Sequence, residues 1–166
     1  MQLRSRTNNV YKGLAAGALG GLAAAWIMTR FQVLLAHALG LSDPHGGQEE
    51  DATVNTAQKI SAGVLHHELS PEEKKVAGPL VHYGYGAGLG ILYGGLAQRS
   101  DKLTSGFGTA YGAAVWALGD EVAVPALGLG RGPTETPVSE QVQTLAAHVL
   151  YGITLEGVRR VALKVL

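Results

Sequence analysis

The chain has no cysteine. Disulfides, iron–sulfur clusters and thiolate zinc sites are therefore excluded. It also lacks net charge, since 13 Lys and Arg balance 13 Asp and Glu. A nucleic-acid binder normally carries a basic excess, so no nucleic-acid partner is expected. No nucleophile–base constellation, phosphate loop or zinc-protease motif is present, which leaves no positive case for an enzyme. Charge is scarcest in four long stretches: 13–39, 76–98, 103–129 and 142–163. Each exceeds the length needed to cross a bilayer once single polar positions are allowed, and 166 residues suffice for one domain of about four such spans.

What the chain has in excess is glycine. Its 24 glycines are about twice the usual share of about 7%. They fall inside the apolar runs, without a collagen-like period. Each would cost a soluble helix about 1 kcal/mol relative to alanine. In a bilayer, glycine lets helices approach closely. The mean hydropathy of +0.14 is low for a membrane protein. Glycine, alanine and the polar segment 41–75 account for that.

The expected fold is all-α: a polytopic membrane protein of four transmembrane helices in a single membrane domain over residues 1–166, with one amphipathic helix outside the membrane. Arg4, Arg6 and Lys12 precede the first span, Arg99 and Lys102 join the second and third, and Arg159, Arg160 and Lys164 end the fourth. Segment 41–75 instead carries Asp43, Glu49, Glu50, Asp51, Glu68, Glu72 and Glu73. By the positive-inside rule both termini are cytoplasmic, and 41–75 is extracellular or, in a Gram-negative bacterium, periplasmic. The first span has the basic start of a signal peptide, but Arg30 and Gln32 interrupt its apolar core, so a retained span is expected.

Within 41–75, residues 43–47 form a turn cluster. Val54, Ala57, Ile60, Val64 and Leu65 then recur at helical spacing, which predicts an amphipathic helix on the outer face. Ser70-Pro71-Glu72-Glu73 has the form of a capping box with proline at the first helical position, so the next helix begins near Ser70. Pro79 is expected to kink it. His66-His67-Glu68, with His45, reads as solvated residues rather than a metal site.

Spans two and four share a motif, His82-x-x-Tyr85-Gly86 and His148-x-x-Tyr151-Gly152. Spans one and three share a looser one, Ala23-Ala24-Ala25-Trp26 with Arg30 and Ala113-Ala114-Val115-Trp116 with Asp120. Two repeated helical hairpins are the reading, related by an axis along the membrane normal. The repeat brings Arg30, His82, Asp120, Glu121 and His148 to the outer half of the membrane. Unpaired charges there are costly, so Arg30 is expected to pair with a carboxylate. Pro125 has no amide hydrogen and would free the carbonyl of Glu121, which makes a broken-helix proton or cation site. The competing reading is a structural lock.

His82 and His148 with Asp120 are candidate ligands for iron, zinc or manganese. The two histidines are also candidate axial ligands of a haem. Hydrogen bonding across the bundle is the plainer expectation, and no cofactor is required. Gly13, Gly17 and Gly21, Gly86, Gly90 and Gly94, and Gly108 and Gly112 form small-residue ridges for helix packing, within the chain or between copies. Glu156 with Arg159 and Arg160 reads as a local salt bridge near the cytoplasmic end. Tyr83, Tyr85, Tyr93, Tyr111 and Tyr151 read as packing residues.

The run His82-Tyr83-Gly84-Tyr85-Gly86 to Tyr93-Gly94, then Gly112-x-x-x-Trp116, Pro125-Ala126-Leu127-Gly128-Leu129, and finally Glu140, His148, Tyr151-Gly152, Glu156 and Arg159-Arg160, resembles the YagU-like family of small bacterial inner-membrane proteins. The resemblance covers about residues 76–162, and the first span more loosely. It implies four membrane helices and a bacterial inner-membrane location, and supplies no reaction. Segment 41–75 departs from the pattern expected of that family. The functional expectation is a proton or cation channel or transporter acting as a homo-oligomer in the lipid bilayer. The alternatives are a non-catalytic structural subunit of a larger membrane complex and a metal- or haem-binding protein using His82 and His148.

Overall fold

A computed structural model describes residues 2–40 and 51–166. The turn cluster at 43–47 and His45 lie outside the described residues. Every regular element described is helical: α1 (Gln2–Ala38), α2 (Ala52–Ile60), α3 (Pro71–Ala97), α4 (Thr109–Leu118), α5 (Val124–Ala126) and α6 (Val138–Val165). A π turn at Ser61–Leu65 extends α2, and another at Gly119–Ala123 joins α4 to α5.

Asn9–Ala38 is the one helix among the described residues long and apolar enough to cross a membrane by itself. α3 and α6 have the length, with 27 and 28 residues. Glycine, tyrosine and charge dilute their apolar content. The third expected span is helical over 109–126, with the π turn inside it.

α1 packs along both α3 and α6, α4 packs on α6, and α2 lies on α3. Tyrosines close the remaining side of the bundle. The Tyr111 hydroxyl donates to the Leu89 carbonyl (2.8 Å), and the Tyr151 hydroxyl to the Gly86 carbonyl (2.6 Å). The Tyr93 and Tyr111 rings meet at 4.6 Å between centroids. The Tyr111 and Tyr151 hydroxyls thus occupy helix carbonyls across the bundle, and these two act as staples as well as filler.

Glycine sets how closely the helices approach. A Cβ at Gly17 would collide with the Gly90 carbonyl oxygen, one at Gly21 with the Gly86 carbonyl oxygen, and one at Gly94 with the Gly13 carbonyl oxygen. The first two ridges therefore interlock along the antiparallel α1–α3 contact. The third serves α4 against α6, where Gly108 meets Gly152 and Gly112 meets His148, backbone to backbone. Gly108 also caps α4 at φ 83°, a conformation that strains any side chain. In this packing Trp26 follows Gly21 by five residues, whereas Trp116 follows Gly108 by eight, so the two tryptophans stand in different registers.

The distribution of polarity is inverted relative to a water-soluble bundle. The buried apolar residues are mostly small, among them Ala16, Ala24, Ala25 and Ala147, while Glu156 and Arg159 are buried. Leu22, Leu34, Leu80, Leu92, Leu118, Val142 and Val161 are exposed, and every long element contributes to that apolar exterior.

At the start of α3 the capping box forms as its sequence dictates. The Ser70 hydroxyl accepts from the Glu73 amide, and the Glu73 carboxylate accepts from the Ser70 amide at 2.8 Å. Pro79 is accommodated inside a continuous α3. Bonds from the Ser70 backbone and hydroxyl, with His67 Nε2 at 3.1 Å, push the Glu73 carboxyl down to about 2. A depressed carboxyl contributes stability above its ordinary value of 4.5, and that contribution is lost as pH falls from there through about 2. Amide protection in the first turn of α3, corrected for intrinsic exchange, should fall across that window. Glu73→Gln should flatten the dependence. An unchanged profile in the variant would assign the effect elsewhere.

Only the first half of the amphipathic stripe on α2 packs inward. Val54 and Ala57 are buried, while Ile60, Val64 and Leu65 are mostly exposed. α2 is held down by polar bonds to the far end of α5. Lys59 donates to the carbonyls of Leu127 (2.6 Å) and Gly128 (3.1 Å), and Asn55 donates to that of Leu129 (2.8 Å). A cation on helix-terminal carbonyls is the favoured arrangement.

Candidate functional site

The local backbone around Asp120 follows from Pro125. The Val124 amide bonds the Gly119 carbonyl, five residues back, which is the π turn. Pro125 has no amide hydrogen to give. The Asp120 carbonyl therefore lacks its donor in either an α or a π register. In the α register that resumes at Val124, Pro125 also withholds the donor expected by the Glu121 carbonyl.

Asp120, His148 and His82 converge from three elements. The Asp120 carboxylate lies 3.7 Å from His148 Nδ1, and both imidazoles are near enough to act on it electrostatically. His148 Nδ1 also meets the Thr144 carbonyl at 2.9 Å. A carbonyl can only accept, so Nδ1 carries a hydrogen. Thr144 is in turn held by the Trp116 indole, which donates to its hydroxyl at 3.1 Å. His82 Nε2 lies 3.1 Å from the Thr29 hydroxyl and 3.3 Å from the Ala25 carbonyl. The Thr29 hydroxyl gives its own hydrogen to that carbonyl, so Nε2 is the donor of the pair.

Arg30 does not join this cluster. It is exposed, stacks over the Trp26 ring at 5.6 Å, and among the described residues has no acidic side chain within ion-pair distance. Neither Asp120 nor Glu121 pairs with Arg30, for a geometric reason. Gly17, Gly21, Ala24, Ala25 and Met28 define the buried face of α1. Trp26 and Arg30, one turn apart, fall on the opposite side. Glu121 is half-buried and likewise has no ion pair among the described residues.

The local salt bridge expected of Glu156 with Arg159 and Arg160 forms, and it is the heart of a second polar centre. Glu156 is fully buried. Its carboxylate receives both Nε (2.7 Å) and Nη2 (3.0 Å) of Arg159, Nε of Arg160 (2.6 Å) and the Tyr93 hydroxyl (3.0 Å). Arg160 stacks over Phe107 at 4.8 Å, which leaves about half of its side chain exposed. The signal for burial was in the sequence: His148, Gly152 and Glu156 recur every four residues, so Glu156 shares the face that meets α4.

Among the described residues no three His, Asp or Glu side chains converge in a way that could hold a metal. Of the outer histidines, His67 bonds Glu73, and His66 takes a left-handed backbone at φ 53°.

These features define a class: an all-helical bundle with an apolar exterior, glycine-tight crossings and two polar centres, the one at Glu156 buried and the one at Asp120 partly exposed. The chain belongs to the family described as Protein of unknown function (DUF1440), which it matches over residues 54–157. The match begins inside α2, so most of the amphipathic segment is common to that family, and α1 lies outside the match. No curated protein and no solved structure matches the chain.

Proposed function

We propose that the protein is a four-helix integral membrane protein in which Asp120, His148 and His82 bind and release a proton. The membrane reading is supported by the exposed leucines and valines on every long element beside a fully buried Glu156–Arg159 pair. Water would favour the reverse. Lys12, Arg99, Arg160 and Lys164 gather where α1 begins and α3 and α6 end, which supports cytoplasmic termini. The resemblance to YagU-like proteins supports a bacterial inner membrane.

The observation that carries the proton reading is the Asp120–His148 contact at 3.7 Å, beside a carbonyl stripped of its helical donor. A proton fits better than a metal or alkali cation. The imidazole nitrogens that face oxygens carry hydrogens, and a single carboxylate supplies too few oxygen ligands for a hard cation. Tyrosines fill the bundle centre, so a continuous pathway would require copies to assemble. Purified protein in vesicles loaded with a pH dye should dissipate an imposed proton gradient. Asp120→Asn should abolish this and Arg30→Gln should not. Wild-type vesicles indistinguishable from empty ones would reject the proposal. A stoichiometric partner co-purifying with an inactive wild type would favour the structural-subunit reading.

A further inference from the structure

The outward face of α3 carries a groove of about 300 Å³. Gly88 and Gly95 form its floor, Leu14 of α1 with Ile91, Leu92 and Leu96 its sides, and Arg99 its end. We propose that this groove holds one acyl chain of an anionic phospholipid, with the headgroup on Arg99.

Three observations converge. The first is shape. The groove residues at 88, 91 and 92, and 95 and 96 follow one face of α3, and Arg99 lies just past its end. A methyl added at Gly88 would meet nothing within 4 Å, so the floor is open there by virtue of glycine. The second is length. The ten helical residues 88–97 rise about 15 Å, close to the about 15 Å of one leaflet's hydrocarbon. The third is charge. Arg99 is exposed, and among the described residues no acidic side chain lies within ion-pair distance of it. An apolar trough one leaflet long that ends on an exposed cation is complementary to a lipid with a negative headgroup.

A second copy of the chain fits less well. Copies in a bilayer share one orientation, so a two-fold contact through this face would set Arg99 against Arg99. The inference rests on the membrane reading above, but not on the proton site.

The test is native mass spectrometry of the detergent-purified protein, titrated with phosphatidylglycerol or phosphatidylcholine. The wild type should retain one lipid per chain and prefer phosphatidylglycerol by about five-fold, the effect of one interfacial arginine. Arg99→Gln should bring that ratio to about one, whereas Arg30→Gln should leave it unchanged. Gly88→Leu, which the open floor tolerates, should weaken both lipids by about tenfold. Equal wild-type binding of the two lipids, an equal effect of Arg30→Gln, or unaltered binding by Gly88→Leu would overturn the assignment. A wild-type dimer that Gly88→Leu dissociates would give the groove to a second copy. A chain that stays in the aqueous fraction without detergent would remove the membrane reading as well, whereas lost lipid preference in an inserted protein removes this inference alone.

Discussion

Glu156→Ala should unfold the protein or come close to it. The substitution removes a carboxylate that is fully buried and receives four hydrogen bonds, and it leaves Arg159 in the interior without a counter-charge. Breaking one side of a buried pair costs about 3–5 kcal/mol, because the surviving charge is neither hydrated nor paired. Replacing both partners avoids that penalty, so Glu156→Leu with Arg159→Leu should be more stable than either single change. The measurement is thermal unfolding in detergent, followed by helical circular dichroism. A Glu156→Ala protein within about 0.5 kcal/mol of wild type would show that the cluster is hydrated and not an internal lock.

The second large effect is expected at the α1–α3 crossing. Gly90→Val places a branched side chain where a single Cβ already collides with the Gly17 carbonyl oxygen and approaches the Gly21 Cα at 2.8 Å. Neither neighbour is a flexible side chain that could move aside. Overpacking of a tight interior costs about 1–3 kcal/mol, and backbone-to-backbone contact puts this substitution at the upper end or beyond. Gly84 and Gly88 lie on the same helix, and a Cβ at either would meet nothing within 4 Å. Gly84→Ala and Gly88→Ala should therefore be neutral or slightly stabilising. A uniform response across the three positions would contradict the interlocked crossing.

These expectations differ in how far they could be read in advance. The capping box at Ser70, the amphipathic helix after residue 51 and the break near Pro125 are all local. Each is dictated by residues within about five positions, so their sequence signals translate directly into backbone geometry. The glycine ridges were visible as ridges, and their partners were not. That Gly17 meets Gly90 depends on the antiparallel register of two helices about 70 residues apart in sequence. The charged cluster shows the same divide. Asp120, His82 and His148 come together, but Arg30 does not, because its helical phase is set by which face of α1 holds the small residues. The Glu156 pairs with Arg159 and Arg160 form at the local spacing the sequence shows, whereas the Tyr93 hydroxyl on the same carboxylate comes from α3 and depends on how the helices pack.

By itself the sequence determined an all-helical chain free of thiol chemistry, with long apolar stretches, tight helix crossings and a proline-disrupted turn beside two acids. Those follow from composition and short-range periodicity, which act through bonds between near neighbours. The tertiary structure alone decided which glycines face each other and which polar groups share a site. Those depend on the rotation and register of whole helices, quantities that no single segment contains.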